Sequence, residues 1–370
     1  MKISYVVTRS DQMSGPQTYI RDLAVALAQC GHEVTLLAGG AGPFFDDMNR
    51  RGILSQALKH MVAPIRPIGD ARALVELVTV LRRIRPDLLS TNSTKAGVLG
   101  RLAARMVGIP AIHTAHGWAF TEAIAASSAY FYRIVERTVA PLATRIITVC
   151  DYDRQLAIRG RIAPSSKFVT VHNGISDVNA TLRADPSRDP VRLVMVARLE
   201  KQKDHATLFR ALSGLMSERW ILDVVGDGPE RRVLELLAGQ LGIGARVRFL
   251  GARNDVADLL AASQAFMLMS NWEGFPYSIL EAMRAGLPVV ASDVAGVREA
   301  VVHGQNGFLT PRGDADTARE QIAQLVHEPG LRVQMGRIGR QRYEERFTFD
   351  VMLARTCEVY EQAVGKAVAA

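Results

Sequence analysis

The chain has 370 residues, 48% hydrophobic and 22% charged, with 45 Lys and Arg against 37 Asp and Glu. That length exceeds what one hydrophobic core usually supports, so two domains are expected, and the composition excludes a disordered, fibrous or disulfide-scaffold protein. Cys30, Cys150 and Cys357 are scattered, odd in number and without metal-ligand spacing, which favours buried thiols in a reducing cytosol.

Apolar strand-like runs alternate with amphipathic helical ones throughout, the pattern of two α/β domains with parallel sheets. The opening run Met1-Lys-Ile-Ser-Tyr-Val-Val is too short for a signal sequence or a membrane span, and no later run reaches spanning length. In the first half the expected strands are Ile3 to Thr8, Val34 to Ala38, Leu88 to Thr91, Ala111 to His116, Arg145 to Cys150 and Val169 to His172. In the second half they are Arg192 to Ala197, Ile221 to Gly226, Val247 to Leu250, Ala265 to Met269 and Val289 to Ser292. Asp185-Pro-Ser-Arg-Asp-Pro190 is polar and aperiodic, the best linker candidate, which puts the domains at 1–184 and 190–348 with a final helix at about 349–370.

Charge is uneven. Residues 1–184 carry 22 Lys and Arg against 13 Asp and Glu, and the remainder 23 against 24. The excess gathers in Arg66, Arg72, Arg82, Arg83, Arg85, Lys95, Arg101 and Arg105. Such a surface suits anionic lipid or a phosphorylated acceptor. Alternatively, Arg82, Arg83 and Arg85 simply complement the C-terminal dipole of a helix begun near Asp70.

Several strand ends carry reactive or phosphate-binding residue types. Ser14-Gly15-Pro16 opens a helix, either as an ordinary turn or as a close backbone approach to a ligand. Asn92-Ser-Thr-Lys95-Ala-Gly97 and His113-Thr-Ala-His116-Gly-Trp118 each follow a strand, where open α/β sheets take ligands; this places His116 better than His113. Arg198-Leu-Glu-Lys-Gln-Lys203 offers two cations to a diphosphate, or is a solvated loop in which Glu200 pairs one of them. Gly226-Asp-Gly-Pro-Glu230 lacks the third glycine of a dinucleotide fingerprint. Asp151-Tyr-Asp153 and Asp314-Ala-Asp316 have a metal-binding spacing, but both aspartates sit where helices begin and read as N-caps, so no metal is expected.

The richest stretch is Asn271-Trp-Glu-Gly-Phe-Pro-Tyr-Ser-Ile-Leu-Glu281, which sets Glu273 and Glu281 around a turn that opens a helix. Ser278 with Glu281 fits a capping box, which explains Glu281 but not Glu273. A functional reading uses the helix N-terminus for an anion and Glu281 for hydroxyls, as phosphate plus ribose requires.

The segment from Glu273 through Gly286-Leu-Pro-Val-Val-Ala-Ser292 to Gly296 closely resembles the signature of retaining glycosyltransferase family 4, enzymes of GT-B fold. The resemblance implies two Rossmann-like domains facing across a donor/acceptor cleft, with the final helix crossing back to the first domain. It implies transfer of a sugar, with retention, from a nucleoside-diphosphate sugar, here expected to be a UDP-sugar, to an acceptor hydroxyl. It assigns the diphosphate to Arg198 and Lys203, the transferred sugar to His116, and positioning of the donor sugar or its charge to Glu273. The donor set further takes in Gly15, Gly226, Leu250, Arg253, Gly274, Phe275, Pro276, Ser278, Ile279, Leu280 and Glu281, and the acceptor side Lys95 and Trp118. The family's paired glycines are Ser14-Gly15 here, which leaves open a different loop shape or a Ser14 hydroxyl contact. Thr94 through Phe120 looks most like members acting on lipid-linked or growing surface polysaccharide, so the expected setting is the cytoplasm, peripheral on the inner face of the plasma membrane. No cofactor, metal or nucleic acid is expected. A GT-B nucleotide-sugar 2-epimerase and a non-catalytic sugar-nucleotide-binding protein are the rival readings.

Overall fold

The computed structural model describes residues 1–11, 13–121 and 126–368. The chain forms two compact units, one of Met1–His172 joined by the chain from Met352 onward, the other of Asn173–Val351.

In the first unit, β1 (Lys2–Val7), β2 (Glu33–Gly39), β3 (Leu54–Leu58), β4 (Leu88–Asn92), β5 (Ala111–Ala115), β6 (Arg145–Thr148) and β7 (Phe168–Thr170) make a parallel sheet ordered β3-β2-β1-β4-β5-β6-β7. The helices are α1 (Gly15–Gln29), α2 (Pro43–Arg50), α3 (Pro67–Ile84), α4 (Thr94–Val107), α5 (Ala126–Val139) and α6 (Asp151–Arg159). β4 and β5, at the centre of the sheet, are buried at every residue, including the polar Ser90, Thr91, Asn92, His113 and Thr114.

The second unit repeats the plan with β8 (Val191–Val196), β9 (Trp220–Val225), β10 (Val247–Gly251), β11 (Ala265–Leu268), β12 (Val289–Ser292) and β13 (Gly307–Thr310), ordered β10-β9-β8-β11-β12-β13. Its helices are α7 (His205–Ser213), α8 (Arg231–Gln240), α9 (Val256–Ala261), α10 (Tyr277–Ala285), α11 (Val297–Ala300), α12 (Ala315–His327) and α13 (Pro329–Arg346). In each sheet the strand order reverses beside the unit's first strand, at β1/β4 and at β8/β11. Beyond the carboxyl ends of such a pair a doubly wound sheet has room for ligands.

The sequence signal missed β3 and β13. Both are edge strands: β3 is buried only at Leu58 and β13 is only four residues long, so neither carries a long apolar run. The boundary also differs from the one expected. Asn173–Ala184 belongs to the second unit because Asn173 Nδ2 donates to Phe275 O at 2.7 Å, Tyr343 OH to Ile175 O at 2.9 Å, and Ala184 N to Ala285 O at 2.8 Å. Nor is Asp185–Pro190 a free linker. Arg332, fully buried on α13, donates from Nε to Pro186 O at 2.6 Å and from a terminal nitrogen to Arg188 O at 3.2 Å, and pairs with Asp189.

The chain leaves the second unit through α14 (Phe349–Val368). There Tyr360, buried, places its hydroxyl 2.9 Å from Ser90 Oγ and 3.2 Å from Tyr5 OH, fixing the helix against the strands of the first unit.

Replacing Arg332 by Met strands several buried carbonyls, so Arg332→Met is expected to cost about 3 kcal/mol of stability. Urea denaturation checks this; an unchanged midpoint would show that the 185–190 segment is not held by the guanidinium.

Candidate active site

The loops leaving β8 and β11 are zipped together. Asp204 N donates to Met269 O at 2.9 Å and Asn271 N to Gln202 O at 2.8 Å; Asn271 Nδ2 reaches Lys201 O at 2.8 Å and Gln202 Nε2 reaches Trp272 O at 2.9 Å. Asp204 also caps α7, accepting from Thr207 N at 3.1 Å. This rigid frame sets Lys203 Nζ directly against Glu273 Oε1, and Ser270 Oγ donates to the same oxygen at 2.6 Å. The two side chains are only 15% and 6% exposed, so the pair is close to a buried salt bridge. Removing either partner leaves an uncompensated charge.

Arg198 lies in the same loop but is exposed and paired with Glu200, the alternative foreseen from the sequence. The loop rests on the Gly226–Glu230 turn, with Leu199 N donating to Asp227 O at 3.1 Å and Glu230 N to Leu199 O at 3.0 Å. Gly226 has φ +137°, and a Cβ there would lie 2.0 Å from Ala197 O. That glycine is therefore required by the close approach of β9 and β8 at their ends. Leu250 and Gly251 close β10 beside it, Gly226 N donating to Gly251 O at 2.8 Å. Arg253 is spent on a two-pronged pair with Asp255, which holds the Asp255 carboxyl below its ordinary range.

The helix carrying Glu281 starts two residues earlier than expected. Pro276 occupies the N-cap position, Ser278 is the second helical residue, and no side chain caps α10. The capping box is thus absent: Ser278 and Glu281 do not form it. The first-turn amides of Ser278, Ile279 and Leu280 are left to whatever anion meets them. Ile279 and Leu280 are themselves buried in the core, as is Phe275, whose ring lies 5.2 Å from Phe347; these three can serve a ligand only through their backbone, and Gly274 offers nothing but backbone. Glu281 is half-buried and has no hydrogen-bond or ion-pair partner among the described residues. Desolvation raises its carboxyl above the ordinary range, opposed by Arg284 one turn away. A helix N-terminus that favours an anion, followed by a carboxylate that only accepts, suits a phosphate joined to a polyol.

In the first unit, His116 follows β5 directly. Its Nε2 lies 3.0 Å from Asn92 Oδ1 at the end of β4, and Tyr19 of α1 meets the ring edge-on at 4.8 Å and 75°. Burial pulls its pKa down to about 3, so the imidazole is neutral at physiological pH. Gly15 begins α1, and the Ser14 hydroxyl is engaged by Gln17. Two expected acceptor contacts are committed elsewhere. Lys95 pairs with Asp70 at 2.6 Å, and Trp118 is buried, stacked on Phe120 at 5.1 Å with its indole N–H on Asp153 O at 2.9 Å. Both side chains hold the first unit together. Of the Asp-x-Asp motifs, Asp314 caps α12 through Thr317 N at 3.0 Å; Asp151 is the first residue of α6, with Cys150 at the cap position. Sequence reasoning missed Ser270 and the pairing of Asn92 with His116, since a lone Ser or Asn after a strand gives no signal of its partner.

Comparison with known proteins settles the class. The family description "Glycosyl transferases group 1" matches residues 182–342, and "Glycosyl transferase 4-like domain" matches residues 14–174. The chain belongs to the group 1 glycosyltransferases. It is 29% identical to the UDP-Gal:alpha-D-GlcNAc-diphosphoundecaprenol alpha-1,3-galactosyltransferase of Escherichia coli, over 81% of this chain and 82% of that one. It is 24% identical to the N-acetyl-alpha-D-glucosaminyl L-malate synthase of Bacillus anthracis, over 97% of each. Anabaena HepE, crystallised with UDP and glucose, superposes with a TM-score of 0.83 at 22% identity, covering 98% of this chain and 99% of the other. At that identity the likeness is one of fold, and the fold is GT-B.

The state of Glu281 generates a test. A carboxyl whose folded pKa is raised binds its proton more tightly in the native state, so its contribution to stability is fully present below the ordinary glutamate value and is lost as pH rises from there through the raised folded value. At neutral pH the ionised group therefore opposes folding. Glu281→Gln should raise the melting temperature at pH 7, with the gain vanishing near pH 4, and should weaken UDP binding by tenfold or more. A variant that melts lower and binds UDP normally would make Glu281 structural.

Proposed function

We propose that this glycosyltransferase moves a sugar from a UDP-sugar to a hydroxyl of a lipid-linked or growing surface polysaccharide, with retention of anomeric configuration and without a metal. The Lys203–Glu273 pair, held beyond the carboxyl ends of β8 and β11 next to an uncapped α10 and an unpartnered Glu281, carries the reading. The class of reaction is supported by the family and by relatives named as sugar transferases, one of them acting on a diphosphoundecaprenol-linked sugar.

In the proposed reaction the bond between the anomeric carbon and the β-phosphate oxygen breaks, and the acceptor oxygen bonds to that carbon on the same face. The acceptor proton passes to the leaving phosphate oxygen. Negative charge grows on the diphosphate, where Arg198, Lys203 and the first-turn amides of α10 stabilise it. As Lys203 turns to phosphate, Glu273 is released to the positive charge building on the sugar ring. His116, neutral, bonds a hydroxyl of the transferred sugar, and Glu281 accepts from the ribose hydroxyls.

The acceptor setting points to an anionic bilayer surface. Among the described residues no helix is long and apolar enough to cross a membrane. Of the basic set read from the sequence, Lys95 is paired with Asp70 and Arg101 is buried on Glu136. A better surface is α5, where Tyr130, Phe131 and Ile134 are 64%, 51% and 47% exposed beside Arg133 and Arg137. It adjoins a cavity of about 720 Å³ lined by Arg137, Arg161, Lys167, Ile158 and Ile162, with no acid among its lining residues. Exposed aromatic and aliphatic groups among cations that have no ion-pair partner among the described residues suit the headgroup boundary of an acidic membrane.

Activity is tested by incubating the protein with a panel of nucleotide sugars and measuring nucleoside-diphosphate release. Turnover should survive EDTA, and Arg198→Ala should lower kcat by on the order of 10²-fold. Arg198 is the cleaner probe, since Lys203→Ala also strands Glu273. Loss of turnover in EDTA, restored by manganese, would overturn the metal-free reading. For the surface, sedimentation with acidic liposomes should fall with salt and with Phe131→Ser/Ile134→Ser. Equal binding to neutral liposomes refutes it.

A further inference from the structure

We propose that Asn92 is a positioning residue that fixes which nitrogen of His116 carries the proton, so that His116 offers a hydrogen-bond acceptor at Nδ1. The inference rests on the reading that His116 meets the transferred sugar. Asn92 is the last residue of β4 and is fully buried. Its Nδ2 faces Ser90 Oγ at 3.5 Å, two residues back on the same strand, and this turns Oδ1 toward His116 Nε2 at 3.0 Å. An amide oxygen only accepts, so Nε2 must be the protonated nitrogen. Burial keeps the ring neutral, which leaves a bare lone pair on Nδ1, and Nδ1 has no protein partner among the described residues. Tyr19 restrains the ring plane from its edge.

The amide of Asn92 is itself held in place from a distance. Ser90 Oγ, which accepts from Nδ2, lies 2.9 Å from the Tyr360 hydroxyl of α14, and that hydroxyl lies 3.2 Å from Tyr5 OH on β1. Hydrogen bonds thus run without a break from the C-terminal helix to the imidazole. An amide turned the other way would present N–H to Nε2, force the proton to Nδ1, and make His116 a donor to the sugar. In the structure the amide stands the first way, with Oδ1 3.0 Å from Nε2 and Nδ2 on the side of Ser90 Oγ.

Nitrogen-15 histidine spectra of the full chain test this, with the His116 signals assigned by their loss in His116→Gln. The wild-type protein should show Nε2 as the protonated, pyrrole-type nitrogen and Nδ1 as pyridine-type. In Asn92→Leu the two tautomers should exchange, with kcat falling about tenfold and donor KM moving little. Asn92→Asp keeps an acceptor at Nε2, so it should keep the Nε2–H form, raise the imidazole pKa and restore kcat at high pH. A wild-type proton on Nδ1 overturns the proposal, as does a folded Asn92→Leu with an unchanged spectrum. Should Asn92→Leu fail to fold, an Asn92→Asp imidazole with no raised pKa overturns it. If the tautomer responds while kcat does not, Asn92 still orients the ring and the sugar role of His116 is what fails.

Discussion

Everything proposed for the second unit depends on one constraint: two loops that leave neighbouring strands on either side of the reversal in strand order are hydrogen-bonded to each other before any ligand arrives. Backbone and amide contacts between residues 201–204 and 269–272 hold Lys203 and Glu273 in register. The proposed reaction sends the cation to phosphate and the carboxylate to a cationic transition state; in the structure they are stored as a pair, each neutralising the other while both are largely out of water. The zipped loops fix the backbone of both residues, so only the two side chains have to move when the reaction develops its own charge.

Glu281 shows the opposite arrangement. It has no partner and is poorly solvated, one turn into a helix whose first amides are uncapped. A protein selected for stability alone would close that helix with a side-chain cap and neutralise the carboxylate. Leaving both unsatisfied weakens the fold locally and is explained by a ligand that supplies an anion to the amides and hydroxyls to the carboxylate.

In the first unit the constraint is polar and buried. Arg101 pairs with Glu136 at 2.8 Å, tying α4 to α5, and His113 lies 3.0 Å from Thr91 Oγ1 inside the sheet. Beside them the line Tyr5, Tyr360, Ser90, Asn92 and His116 carries orientation from the returning helix to a strand end. Buried polar groups must be satisfied to be tolerated, and a satisfied set permits very few side-chain arrangements. His116 therefore has a defined ring and a defined tautomer, whereas Lys95 and Trp118, also near strand ends, are absorbed into the structure.

The alternation of strand and helix, the two parallel sheets and the strand ends bearing His116, Arg198 and Glu273 were legible in the sequence, because burial between two helical layers writes long apolar runs into a strand. Edge strands β3 and β13 lack that signature and were not. The start of α10 at Tyr277 was misplaced because Ser278 is a good cap by type, but Pro276 already occupies the position with the extended backbone a cap needs. Partnership was beyond reach: Lys203 and Glu273 are 70 residues apart, His116 and Asn92 are 24 apart, and Arg332 grips a segment more than 140 residues earlier. The sequence by itself determined the fold class, the residue types at each strand end and the family. Only the tertiary structure decided which charges neutralise each other, which are left unpaired, and that the 185–190 segment is clamped, because residue type records what a side chain can do while its partner is set by chain that folds back from far away.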